Sequence, residues 1–232
     1  MTTTEVHELL EEHKNDRGIV NWEKLAAGRT DLKSYGIGLT VLRKLAKKIG
    51  RNRGLSLALW NDDYYDAKII ALLIDDPKQI TREQAEQQVD NMKGGYLAHV
   101  FSSCDASLAK TDFVPELCVE WIHAPDSMRK RCGYGLLYEL SKSKKKSAPD
   151  DAFFLELIEE MRSSFPNVKT VVQGSIAGAL IGVGKRNKVL NAAALKLANE
   201  LGPVAFSDKT DCEPINVVKH LTSDYIKERL GV

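Results

Sequence analysis

The stretch VKTVVQGSIAGALIGVG, residues 168–184, decides how the chain is to be read. Its apolar positions Val168, Val171, Val172, Ile176, Ala179, Leu180 and Val183 recur at the i, i+3, i+4, i+7 spacing of a helix buried along one face. The neighbouring stretch VLNAAALKLANEL, residues 189–201, leaves few positions for solvent. Outward from these two, the same period predicts helices near 3–14, 20–29, 38–50, 53–61, 64–75, 81–92, 96–110, 112–122, 127–143, 150–165 and 213–230. Strand-like alternation is not evident, and only Val204–Phe206 reads as a short extended piece.

Punctuation agrees with the period. Thr81 with Gln84 three residues on, and Asp112 before Phe113, have the form of helix N-caps. Gly50, Gly202 and Gly231 follow helical runs as C-terminal stops, and Pro77, Pro125, Pro149, Pro166 and Pro203 fall in the gaps. Short helices joined by short loops pack as antiparallel neighbours. About thirteen helices give a two-helix unit of roughly 35–40 residues, in the range of HEAT-type repeats. The expected fold is therefore all-α: a right-handed αα solenoid of degenerate HEAT-like (armadillo-type) pairs, forming a single domain over 1–232. A compact helical bundle is the alternative.

Gly174, Gly178 and Gly182 share one face of the 168–184 helix. Each costs about 1 kcal/mol relative to alanine in a helix interior, so something must approach that face closely. A neighbouring helix is the simpler candidate, a ligand the other. Gly133 and Gly135 pose the same question near 127–143. Neither set is a phosphate-binding loop, because no strand precedes it.

The apolar and charged fractions, 43% and 28%, exclude a disordered or fibrous chain. The most apolar run, residues 69–74, is too short to span a membrane, and the acidic start Met1–Glu12 is unlike a signal peptide. A soluble, cytoplasmic monomer is expected. Cys104, Cys118, Cys132 and Cys212 form no CxxC pair, so they read as free thiols; neither metal nor cofactor is expected.

The net charge of +1 hides a segregation of charge. Arg43, Lys44, Lys47, Lys48, Arg51 and Arg53 form a stretch without an acidic residue. Arg129, Lys130 and Arg131 open a later helix, Lys142, Lys144, Lys145 and Lys146 close it, and Lys185, Arg186 and Lys188 fill another corner. In a solenoid equivalent corners align, so these clusters could merge into a basic stripe that follows a phosphate backbone. The competing explanation is that cations at helix ends complement the helix dipole and keep surfaces soluble.

Several segments resemble the AlkD-like DNA alkylation repair family. They are Tyr35-Gly36-Ile37 with Leu42-Arg43-Lys44-Leu45-Ala46, Leu59-Trp60, Asp66-Ala67-Lys68-Ile69-Ile70-Ala71 and Ile74-Asp75-Asp76-Pro77. Arg131-Cys132-Gly133-Tyr134 and Asn191-Ala192-Ala193-Ala194 continue the likeness, which runs from about residue 30 to the end. The resemblance implies HEAT-like pairs whose basic concave face holds duplex DNA; the expected partner is DNA, duplex or branched, held by its phosphate backbone. Catalytic members of the family release cationic alkylpurines such as 3-methyladenine and 7-methylguanine. They set tryptophans and an aspartate against the lesion's sugar, with an arginine on the backbone.

This chain departs from that set. The tryptophan and aspartate positions fall at Gly95 and His99, the second tryptophan at Gly178, and only the arginine is kept, as Arg131. Gly95 and Gly178 are thus expected as small residues on the concave face. Asp90 or Asp105 would serve only under a shifted alignment, and neither has a tryptophan four positions earlier. His99 is the one candidate catalytic residue, with a structural histidine as its alternative. Tyr96 beside it, or Tyr64, Tyr65 or Tyr134, could supply a stacking surface, while Trp22, Trp60 and Trp121 read as core. DNA contacts are expected from Arg129, Lys130, Arg131, Lys185, Arg186, Lys47 and Arg51. The sequence therefore predicts a DNA-binding member without base excision. An active alkylpurine glycosylase and a protein-binding scaffold are the alternatives.

Overall fold

The structure, a computed structural model, describes residues 1–92, 94–103, 106–145, 148–205 and 213–232. Among them lie fourteen α-helices, two short 3-10 turns and no strand. The helices fall into two compact units, Met1–Thr111 and Asp112–Val232.

The first unit holds α1 (Thr3–Glu12), α2 (Asp16–Ala26), α3 (Leu39–Ile49), α4 (Arg53–Trp60), α5 (Tyr65–Ile74), α6 (Arg82–Asp90) and α7 (Leu97–Ser102). Helix α5 is its centre. Ala67, Ile69, Ile70, Ala71 and Ile74 are buried, and α1, α3, α4 and α7 pack around them. Two buried carboxylates tie the connections to this core. Asp66 accepts hydrogen bonds from Ser34 Oγ (2.7 Å), Tyr35 N (2.8 Å) and Ile37 N (3.1 Å), which fixes the loop before α3. Asp75 accepts from Arg53 Nη1 (2.9 Å) and Gln84 Nε2 (2.7 Å), which joins α4 to α6.

The second unit holds α8 (Val114–His123), α9 (Ser127–Ser141), α10 (Asp151–Ser164), α11 (Thr170–Gly184), α12 (Lys188–Leu201), α13 (Val217–Leu221) and α14 (Asp224–Leu230). Helix α11 is central here, against α9, α10, α12 and α13. The period predicts one buried face, yet from Ile176 to Gly184 every residue except Gly178 is buried. Its glycines and alanines are small enough for helices to close in from several sides. Asn191 on α12 is buried and donates to Gly184 O (2.9 Å).

Asparagine caps shape many of the helix starts. Asn15, Asn52, Asn187 and Asn216 each accept a backbone N–H from the first turn, as Thr81 does from Gln84. Gly50, Gly202 and Gly231 end α3, α12 and α14 at φ of +78°, +66° and +67°. Three expectations need correction. The helix expected over 96–110 is α7 ending at Ser102, followed after an interval by a 3-10 turn at Leu108–Lys110. The segment 213–230 is two helices, because Thr222 Oγ1 donates back to Val218 O and Ser223 starts α14. The α8 N-cap is Phe113 rather than Asp112, with Pro115 in the first turn.

Val204 pairs with Ile215 in an isolated antiparallel bridge; Phe206 lies outside the described residues. Trp22 and Trp121 are buried, whereas Trp60 is half-buried beneath Lys68 Nζ, 5.0 Å from its ring centroid. Cys118 and Cys132 are buried, and burial raises the Cys118 thiol pKa; Cys104 and Cys212 lie outside the described residues. Among the described residues no helix is long and apolar enough to cross a membrane.

Candidate nucleic-acid interface

The basic triplet that opens α9 has three different fates. Asp126 caps the helix by accepting Arg129 N (2.8 Å), and the Arg129 guanidinium stays 4.0 Å from the same carboxylate. Lys130 Nζ donates to Ile122 O in the last turn of α8 (2.9 Å). Arg131 is half-buried, with no carboxylate or hydrogen-bond acceptor beside it among the described residues. Burial lowers its pKa from the usual arginine value. The close approach of α8 and α9 accounts for this setting: a Cβ on Gly133 would lie 2.7 Å from Ile122 N. A guanidinium partly stripped of water and lacking a counter-ion gains most from an external oxyanion, whose oxygens match its planar donors.

At the end of α11 the neighbouring cations also diverge. Arg186 is a staple: Nη1 donates to Ser141 O (2.9 Å) and Ser143 O (2.8 Å), Nη2 to Pro149 O (3.3 Å), and the guanidinium covers the Phe154 ring. It satisfies the Ser141 carbonyl that the end of α9 leaves open and two carbonyls of the loop that follows. Lys185 is half-buried, and its pKa is lowered by burial and then by the nearby Arg229, which donates to Lys185 O. Lys142, Lys144 and Lys145 are exposed; Lys146 lies outside the described residues. In the other unit, Lys47 and Arg51 border an open cleft of about 530 Å³.

The positions matched to the family's catalytic set do not form a common helix face. Gly95 precedes α7 in a turn, at φ +54°. A Cβ there would lie 2.6 Å from Tyr65 Cε2 and 2.9 Å from Trp22 Cζ3, whose rings stack at 4.2 Å. His99 is exposed on α7, with Nδ1 2.8 Å from Ser103 Oγ and the Tyr96 ring edge-on at 6.4 Å. Gly178 borders open space, since a Cβ there would meet nothing within 4 Å. Asp90 is exposed at the end of α6, and Asp105 lies outside the described residues.

One cluster escapes sequence reasoning. His7 sits 2.9 Å from Tyr35 Oη through Nδ1 and 2.8 Å from Asp62 through Nε2, with Tyr64 stacked on Tyr35 at 4.5 Å. Its partners lie 28 and 55 residues away, so no local spacing announces them. Burial pushes the Tyr35 hydroxyl up to about 12.

Paired short helices around two buried central helices define an all-α protein of the HEAT-like repeat class. The chain belongs to the family described as DNA alkylation repair enzyme, which matches residues 6–207. A solved structure from work on "a new family of proteins related to the HEAT-like repeat DNA glycosylases with affinity for branched DNA structures" shares the fold. It is 20% identical, with a TM-score of 0.81 over 100% of this chain and 97% of that one. No curated protein matches the chain at a significant level.

Proposed function

We propose that the protein binds DNA through its phosphate backbone and does not excise alkylated bases. The observation that carries this proposal is Arg131: a half-buried guanidinium without a counter-ion among the described residues, at the position that the resemblance matches to the family's backbone-contacting arginine. Lys185 adds a second such cation in the same unit. Family membership supports DNA as the ligand, and the affinity of the similar structure for branched DNA supports including branched substrates. The family match crosses the boundary between the units, which supports treating 1–232 as one functional repeat domain. An intracellular site of action accords with a DNA ligand. The internal bonds of Lys130 and Arg186 give these two residues a structural role, so their removal should act first on stability.

The test is binding of labelled duplex and branched DNA over a salt series. The logarithm of affinity should fall linearly with that of salt, and Arg131→Ala should reduce the duplex slope by about one. Arg131→Lys should keep most of the slope. Binding indifferent to salt and to Arg131 would favour a protein partner instead.

A further inference from the structure

Four tyrosines could supply a stacking surface, and the structure separates them. Tyr65 and Tyr134 are buried, and Tyr64 is stacked on Tyr35 at 4.5 Å. Tyr96 is 53% exposed. The His99 ring stands at 66° to it with centroids 6.4 Å apart, so the two are not stacked. No cation lies over the Tyr96 ring among the described residues, whereas the other exposed tyrosine, Tyr225, carries the Arg229 guanidinium at 5.6 Å.

The ring is exposed, but its backbone is fixed. Tyr96 N donates to Tyr65 Oη (3.0 Å), and Tyr65 is itself buried and stacked on Trp22. Trp22 in turn donates from Nε1 to Leu32 O (2.8 Å). Gly94 and Gly95, directly before Tyr96, take positive φ of +84° and +54°. A Cβ at these positions would stand 3.2 Å from Thr30 Cγ2 and 2.6 Å from Tyr65 Cε2. Leu97 and Ala98, directly after Tyr96, are buried in α7. The fold thus uses the Tyr96 amide and not its side chain. A smaller residue would make the same backbone bond, so packing gives no reason for a large ring. A ring carried on a fixed backbone loses little freedom when it is covered, which favours its use as a binding contact.

We infer that Tyr96 is a stacking platform for an unpaired base of bound DNA. The choice of ligand rests on the DNA-binding function above. Paired bases present their edges in the grooves, and their faces are covered by neighbouring pairs. A side-chain ring therefore meets a bare base face only where the duplex is interrupted, at a bulge, a gap or a branch point. Every base has such a face, so the contact tolerates any sequence. Its effect is a preference for interrupted over continuous duplex.

The test uses the full chain with Tyr96→Ala, Tyr96→Leu and Tyr96→Phe. The side chain is exposed, so urea unfolding of the variants should match the wild type. The probes are a continuous duplex, the same duplex with one bulged 2-aminopurine, and the same duplex with a bulged abasic site. The alanine and leucine variants should bind the 2-aminopurine bulge about 5- to 150-fold more weakly, the range that stacking of one base spans. The phenylalanine variant should keep the wild-type affinity. Wild type and Tyr96→Phe should quench the 2-aminopurine fluorescence, and the other two variants should not. Affinity for the continuous duplex and the abasic bulge should stay the same in all variants. The salt slope should also hold on every probe, because stacking releases no counter-ions. Unchanged binding of the 2-aminopurine bulge by Tyr96→Ala overturns the platform, and so does an equal loss on all three probes. A leucine variant as good as phenylalanine shows a merely apolar contact and overturns stacking. Each of these results leaves the broader function standing where Arg131→Ala still lowers the duplex salt slope. Absence of wild-type binding to every probe overturns both proposals.

Discussion

Gly182 of α11 lies so close to Tyr138 of α9 that a Cβ at Gly182 would stand 2.6 Å from the tyrosine Cδ2. Ser141 Oγ would be 2.8 Å away and the Tyr138 Cα 3.3 Å. One turn earlier, Gly178 faces open space. The glycines that share one face of this helix therefore differ in cause. Gly182 admits a neighbouring helix, and nothing in the packing requires Gly178.

The two glycines should respond oppositely to alanine. Gly178→Ala should stabilise the protein by about 0.5–1 kcal/mol, because it removes a helix-interior glycine without meeting a neighbour. Gly182→Ala should destabilise it by about 1–3 kcal/mol through overpacking against Tyr138 and Ser141. Chemical denaturation of both variants reads this directly. Equal shifts, or the reverse order, would show that the α9–α11 contact is looser than described.

Asp66 gives a prediction with an unusual sign. Burial is the largest influence on its carboxyl and raises the pKa, against the hydrogen bonds from Ser34, Tyr35 and Ile37. The folded state thus holds the proton to a higher pH than the unfolded state does. The stability that Asp66 contributes is greatest below the ordinary carboxylate value, ~3.9, and declines as pH rises through the raised one. Asp66→Asn leaves backbone donors unpaired and should cost about 1–3 kcal/mol. That deficit relative to the wild type should be largest in acid and shrink as pH rises. Urea unfolding of both proteins from acid to neutral pH measures it. A deficit that grows with pH would mean that the hydrogen bonds outweigh burial.

The helical period, the prolines in the gaps and the glycine stops made the fold legible, since each is a local property of the chain. Long-range contacts were not. The segment Tyr35-Gly36-Ile37 and Asp66 carry part of the family resemblance, and their shared role is structural: the Asp66 carboxylate holds the Tyr35 and Ile37 amides. Gly95 looked like a small residue on a helix face, four positions before His99. Its positive φ and the Trp22–Tyr65 stack supply a different reason for glycine, and only the folded turn reveals it. The basic clusters were visible as composition, but charge alone could not separate Arg131 from Arg186. One has no counter-ion among the described residues and the other donates to three carbonyls.

Base release from DNA containing 7-methylguanine is the most direct measurement of binding without excision. Breaking the glycosidic bond moves positive charge from the base onto the sugar, and a carboxylate held against that sugar is the device that stabilises it. The resemblance matches the residues that catalytic members use for this to Gly95, His99 and Gly178. A cationic imidazole would oppose the charge, and a neutral one would supply only a weak dipole. Loss of a well-placed electrostatic stabiliser typically costs about a hundredfold or more in rate. With the DNA saturated by protein, as judged by anisotropy in the same sample, free 7-methylguanine should stay at the level of the protein-free control. Release well above that level, abolished by His99→Ala, would contradict this account and make His99 a catalytic residue.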